Sequence, residues 1–138
     1  MSTSDEKISR RKYPRLPWKQ KGELSFKDDL GDPVLVPVVI RSISPEGLGL
    51  GARRDDELPP VGTRVHVSFQ IGQRDIELPG RVVWRQRAST HSALGIRLTL
   101  ALARASMRHA YASWIVDRLR RSRQGQERSR VIPSPQPA

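Results

Sequence analysis

The chain has no cysteine. That excludes a disulfide framework, a thiolate zinc site and a cysteine nucleophile. Its three histidines, His66, His91 and His109, lie far apart and show no metal-ligand spacing, so no metal site and no cofactor are expected. No glycine-rich loop runs into a lysine, which leaves nucleotide hydrolysis without a signature. No triad-like cluster points to a serine hydrolase, and the chain is read as a non-enzyme. There is no internal repeat. The longest apolar run, Val34 to Ile40, is broken by Pro37 and is far too short to span a bilayer. The N-terminus is polar, so no signal peptide is expected and the cytoplasm is the default location.

What is present suits a small β-rich domain. The 138 residues fit one domain with tails, and 36% hydrophobic content with 10 Gly and 11 Pro implies a modest core and many turns. The net charge is +11, and its placement is uneven. Residues 1–21 carry +5, residues 118–138 carry +5, and the stretch between them carries only +1. A nucleic-acid module usually wears its basic stripe on the folded body. Here the charge sits at the two ends, which argues against DNA or RNA as the partner.

Residues 1–9 read as disordered. Residues 10–20 are basic and contain Pro14 and Pro17, and they read as an irregular arm with Trp18 as its anchor on the body. Six strand patterns follow over 21–99. Gly22, Leu24 and Phe26 share a parity, then a turn spans 28–33. Val34 to Ile43 is a β-branched run in which Pro37 implies an edge or bulge. Leu48, Leu50 and Ala52 alternate with Gly47, Gly49 and Gly51, so one face of that strand is bare backbone. A polar loop covers 53–62. Val65, Val67, Phe69 and Ile71 alternate cleanly with polar residues. Ile76, Leu78, Val82 and Trp84 share a parity, and Leu94, Ile96 and Leu98 close the set. Six strands with short connections predict a mainly β fold, a six-stranded antiparallel barrel.

From about Leu100 the period becomes helical. Leu102, Ala105, His109, Ala112, Val116 and Leu119 form one stripe, and a helix over 100–123 follows, ended by Gly125. Met107, Tyr111 and Trp114 form a second stripe. With no evident cover in so short a chain, it predicts docking of a protein partner or a second copy through this C-terminal helix. The alternative is a helix set deep enough to bury both stripes. Residues 124–138 read as a disordered tail.

Two short motifs carry the functional signal. Arg10-Arg11-Lys12-Tyr13-Pro14-Arg15 contains Arg-x-x-x-Arg, and Ser42-Ile43-Ser44-Pro45-Glu46-Gly47 offers a polar turn at a strand end. Guanidinium groups fork onto phosphate oxygens or onto the O6/N7 edge of guanine. Arg-x-x-x-Arg alone means little in a chain with 25 Lys and Arg. The two motifs in this order, followed by Gly80-Arg81-Val82-Val83-Trp84 and Ala93-Leu94-Gly95-Ile96-Arg97-Leu98, are far more specific. Together they resemble the PilZ domain, a bacterial receptor for cyclic di-GMP, over about residues 9 to 120.

The resemblance implies roles for individual residues. Arg11 and Arg15 would grip phosphates and guanine edges, and Arg10 before them would favour two stacked nucleotides per protomer. Ser44 would bond a phosphate or hold the arm, and Gly47 would let ligand or arm approach the backbone. Ser42 stands where the family usually has Asp or Asn, and a hydroxyl cannot bridge both guanine donors as a carboxylate does. Trp84 reads by parity as core or rim before it reads as a base-stacking platform, though it stays among the candidate ligand residues. The implied function is a cyclic di-GMP receptor in which the arm orders on binding, regulating motility, pili or exopolysaccharide. An adaptor of the same fold that no longer binds nucleotide is the alternative.

Overall fold

The alternation seen along the sequence becomes a closed sheet in the computed structural model. It describes residues 16–53 and 56–131, with the backbone alone over 123–131. Arg10, Arg11 and Arg15, and the segment read as a disordered N-terminus, lie outside the described residues.

Six strands run in chain order: β1 Leu16–Lys27, β2 Pro33–Ile43, β3 Gly47–Arg53, β4 Arg64–Ile71, β5 Arg74–Arg87 and β6 His91–Leu98. Every neighbouring pair is antiparallel, and the spatial order β1-β2-β3-β6-β5-β4 closes through Leu24 opposite Val67. The six-stranded barrel expected from the sequence is the observed fold. Inward side chains such as Leu24, Val38, Ile40, Leu50, Val67, Leu78, Leu94 and Ile96 form one continuous core. Closure removes the free sheet edges that would otherwise invite aggregation.

Three expectations change. First, β1 begins at Leu16, inside the stretch read as irregular arm. The extended bias that Pro17 imposes on Leu16 is compatible with a strand, and Pro17 pairs with Ser42 before a register shift that ends at Gln20. Pro37 sits beyond the last β2–β3 pair, Val39 with Gly51, where a missing N–H costs no ladder bond to β3.

Second, the helix α1 starts later and runs longer than expected, from Ala105 to Val131, after a short 3-10 turn at Leu100–Leu102. Gly125 lies inside it. A helical glycine costs about 1 kcal/mol relative to alanine, which good helix formers such as the flanking Gln and Glu can carry. The residues 124–131 read as tail are therefore helical, and 132–138 lie outside the described residues.

Third, the two helical stripes exchange roles. Tyr111 and Ile115 are fully buried, and Met107, Ala110, Trp114 and Leu119 pack against the core. Leu102 and Val116, from the first stripe, are 72% and 51% exposed, and Leu119 is the member of that stripe that reaches the core. The face predicted to dock a partner is thus covered by the barrel itself. Aromatic contacts decide this. Trp114 meets Trp18 edge-on at 5.2 Å, and Tyr111 meets Phe69 edge-on at 6.3 Å. Arg118 lies 5.0 Å from the Trp18 ring and 5.8 Å from the Trp114 ring. The first stripe offers only Ala, His and aliphatic groups to the same surface, and loses.

Candidate functional site

The outer faces of β2, β3, β6 and β5 meet in one row. Ser42 pairs with Gly49, Gly49 with Gly95, and Gly95 with Trp84. Gly49 alternates with Leu48 and Leu50, and Gly95 with Leu94 and Ile96, which all point into the core. The missing side chains therefore leave room on the outside, and neighbouring side chains fill it, so that both glycines are buried. At interstrand spacings of about 4.8 Å the row is roughly 14 Å long.

Each end of this shelf carries a side chain that leans inward over a glycine. A Cβ on Gly49 would strike the Ser42 hydroxyl, and a Cβ on Gly95 would strike the Trp84 indole. β-Bulges make both possible. The β2 register shifts between Ile40 and Ser42, so Arg41 and Ser42 both face outward. The β5 register shifts between Val82 and Trp84, which turns Trp84 out of the parity it shares with Ile76, Leu78 and Val82. Trp84 is 37% exposed, which removes the core half of the core-or-rim reading and leaves the rim.

The Ser44–Gly47 hairpin closes one end of the shelf. Ser44 N–H donates to the Gly47 carbonyl at 2.9 Å, and the Ser44 hydroxyl accepts from Gly47 N–H at 3.0 Å. Pro45 and Glu46 form the two-residue turn, and the Glu46 carbonyl accepts from Leu98 N–H at 2.8 Å. Ser44 is only 7% exposed, so its hydroxyl serves the turn. Gly47 is required by packing, since a Cβ there would lie 2.7 Å from the Ile96 carbonyl oxygen of β6.

These two kinds of glycine separate in a melt. Gly47→Ala forces β3 away from a backbone oxygen and should lower stability by about 1–3 kcal/mol. Gly95→Ala strikes the five-membered ring of the Trp84 indole, a side chain and not backbone, and should lower the melting temperature less than Gly47→Ala while moving Trp84. Thermal unfolding followed by circular dichroism checks both.

The helix touches the Ser44 turn and the start of β1. The Tyr111 hydroxyl donates to the Ser44 carbonyl at 2.5 Å. Burial pushes the Tyr111 phenol above its ordinary range, so it remains a protonated donor at neutral pH. Trp18 lies three residues after Arg15 and is held between Trp114, Arg118 and Gln20, whose side-chain oxygen accepts from the Trp18 indole N–H at 2.9 Å. Trp18 thus anchors the start of β1, as expected. Of the candidate residues, Ser42, Ser44, Gly47 and Trp84 are brought to one side of the barrel.

Gly49, Gly95 and Tyr111 were missed as site residues. The bare face of β3 was legible, and pairing its glycines with the one in Ala93-Leu94-Gly95 would have located the shelf. Nothing in the sequence marked the hydrogen bond of Tyr111.

Comparison with known proteins agrees with this architecture. The barrel with one C-terminal helix is similar to the PilZ domain of YcgR from Escherichia coli solved with c-di-GMP, at 14% identity and a TM-score of 0.59, covering 89% of this chain and 99% of that one. It is similar to the Bacillus subtilis inhibitor of motility MotI, also called DgrA, at 15% identity and a TM-score of 0.64, covering 83% of this chain and 53% of that one. The PilZ domain of CeSA from a cellulose-synthesizing bacterium gives 14% identity and a TM-score of 0.54, covering 75% and 96%. This chain therefore spans about half of MotI and most of the isolated PilZ domains. No curated protein matches it in sequence. The PilZ domain family matches residues 9–112, which takes in both motifs and the barrel, and the chain belongs to the PilZ domain family.

Proposed function

We propose that this domain is a receptor for cyclic di-GMP. The observation that carries the reading is the glycine row of Gly49 and Gly95, on which Ser42 and the half-exposed Trp84 indole rest, on the face where β1 enters beside Ser42. An indole seated on glycine backbone, with part of its surface open to solvent, suits a planar base, which stacks on the ring. The start of β1 pairs with Ser42 and Ile43, and Arg15 immediately precedes Leu16 in the chain. Arg10, Arg11 and Arg15 then supply the cations for the two phosphates and the guanine edges. A receptor role also accords with the YcgR domain, which was solved with c-di-GMP.

The helix gives the site a way to be read. Trp18, three residues after Arg15, rests on Trp114, and the Ser44 turn is bonded to Tyr111. A ligand that pulls on the arm or the turn therefore loads α1 at two points. An ordering arm and a loaded helix together form a two-state surface for a downstream protein. The adaptor alternative drew on Ser42, which stands in place of the family's usual acid, and on an uncovered Met107–Tyr111–Trp114 stripe; the stripe is covered, and Ser42 alone still favours it. Regulation of motility, pili or exopolysaccharide is the physiological role in keeping with this reading.

Tryptophan fluorescence tests the shelf directly. Cyclic di-GMP should quench emission of the wild type through stacking on Trp84. A Trp84→Phe variant should lose most of that quenching and still bind more weakly by calorimetry. Equal quenching in both proteins would place the bases elsewhere.

A further inference from the structure

A second rung of the same outer face carries an arginine that neither motif includes. Two residues along β3 from Gly49 is Gly51, which pairs with Val39 on one side and Ala93 on the other. The Arg41 side chain lies across Gly51, where a Cβ would strike its guanidinium. Lys21 pairs with Val39, and Arg53 pairs with His91 one rung further on. These residues bound a groove of about 520 Å³ with Val39, Gly51 and Ala52 among its walls. Arg41 also bounds the adjoining groove beside Pro17, Trp18 and Lys19 at the entry of β1. Among the described residues no carboxylate lines either groove.

We infer that this groove is an anion subsite, anchored by Arg41 and flanked by Lys21 and Arg53, that takes a phosphodiester of the nucleotide whose base rests on the shelf. The inference rests on the receptor reading and adds a residue to it. Gly49 and Gly51 are i and i+2 on one strand, so the subsite lies about 6.8 Å from the shelf. That is within the span of one dinucleotide. The bulge that turns Ser42 outward also turns Arg41 outward, so one backbone irregularity builds both features. With a serine at 42 in place of an acid, the neighbouring guanidinium has no carboxylate beside it and stays open to phosphate. A planar fork seated over Gly51 offers two parallel N–H donors to two phosphate oxygens. Lys21 and Arg53 act as point charges at the rim, where salt screens them.

Calorimetric titration of the full chain with cyclic di-GMP tests this in Arg41→Ala, Arg41→Lys and the Lys21→Ala/Arg53→Ala pair, at low and high salt. Arg41 is exposed, so the variants should melt like the wild type. Arg41→Ala should bind about tenfold or more weakly, the scale of one lost charge-assisted hydrogen bond. Arg41→Lys should recover only part, because a point charge cannot fork. The Lys21/Arg53 pair should bind several-fold more weakly with a flatter salt dependence. Gly51→Val, which pushes the guanidinium off its bed without removing charge, should resemble Arg41→Lys. Wild-type affinity in Arg41→Ala, with the wild type itself binding, would overturn the subsite and leave the receptor reading standing. Inorganic phosphate bound through Arg41 with no change in dinucleotide affinity would overturn the assignment to a shared ligand. A wild type that binds no cyclic di-GMP would overturn both.

Discussion

Arg11→Ala and Arg15→Ala should each weaken cyclic di-GMP binding by about a hundredfold or more while the protein melts at its usual temperature. Each arginine forks onto phosphate or a guanine edge, and each charge-assisted bond lost costs about 1.5–3 kcal/mol. Two such bonds per side chain reach the hundredfold scale. Stability should hold because the buried core is built from the six strands and α1, which begin at Leu16. Parallel calorimetry and thermal melts separate the two effects. Arg10→Leu belongs in the same series. It should halve the stoichiometry if the wild type takes two stacked nucleotides per chain, and a wild type that saturates at one removes that role from Arg10.

The paired substitution Tyr111→Glu/Trp114→Glu should unfold the domain. Tyr111 is 0% exposed, and Trp114 contacts Trp18, Phe69 and Tyr111. Replacing a buried aromatic ring typically costs about 3–5 kcal/mol, and placing a carboxylate there adds the desolvation of a charge. The sum is comparable with the whole stability of a small domain, about 5–15 kcal/mol. Circular dichroism should show loss of the cooperative melt. A folded, merely more soluble double variant would return this face to the role of an interface. Tyr111→Phe is the milder probe. It removes one buried hydrogen bond to Ser44, should cost about 1 kcal/mol, and should loosen the turn more than the barrel.

Local alternation made the barrel legible. Val65, Val67 and Phe69 could only point one way, and the same holds for Leu48 and Leu50 between their glycines. The errors came from features that alternation cannot encode. A bulge after Val82 reversed the parity of Trp84, and no residue type announces a bulge of that kind. Choosing between the two helical stripes required knowing what lay opposite. Trp18 and Phe69 come from distant strands, and they select Tyr111 and Trp114 over Leu102 and Val116. The site divided in the same way. Ser42, Ser44 and Gly47 were visible because they are consecutive in the chain. Gly95 and Arg41 gain meaning only through cross-strand pairing, which joins Gly95 to Gly49 and lays Arg41 over Gly51. Gly47 was assigned to ligand approach, and cross-strand pairing adds a packing reason for it, since its missing side chain makes room for the Ile96 carbonyl.

Isothermal titration of the purified protein with cyclic di-GMP, with GTP and cyclic di-AMP as controls, tests the central claim most directly. The account predicts saturable heat release with cyclic di-GMP at a micromolar or tighter dissociation constant, about −8 kcal/mol or better. GTP should give little or none, because it lacks the second base and the closed phosphodiester ring. Cyclic di-AMP should bind far more weakly, because adenine offers an N6 donor where guanine presents the O6 acceptor to a guanidinium fork. No heat up to about a hundred micromolar cyclic di-GMP, near −5.5 kcal/mol, or equal heat from all three ligands, would contradict it.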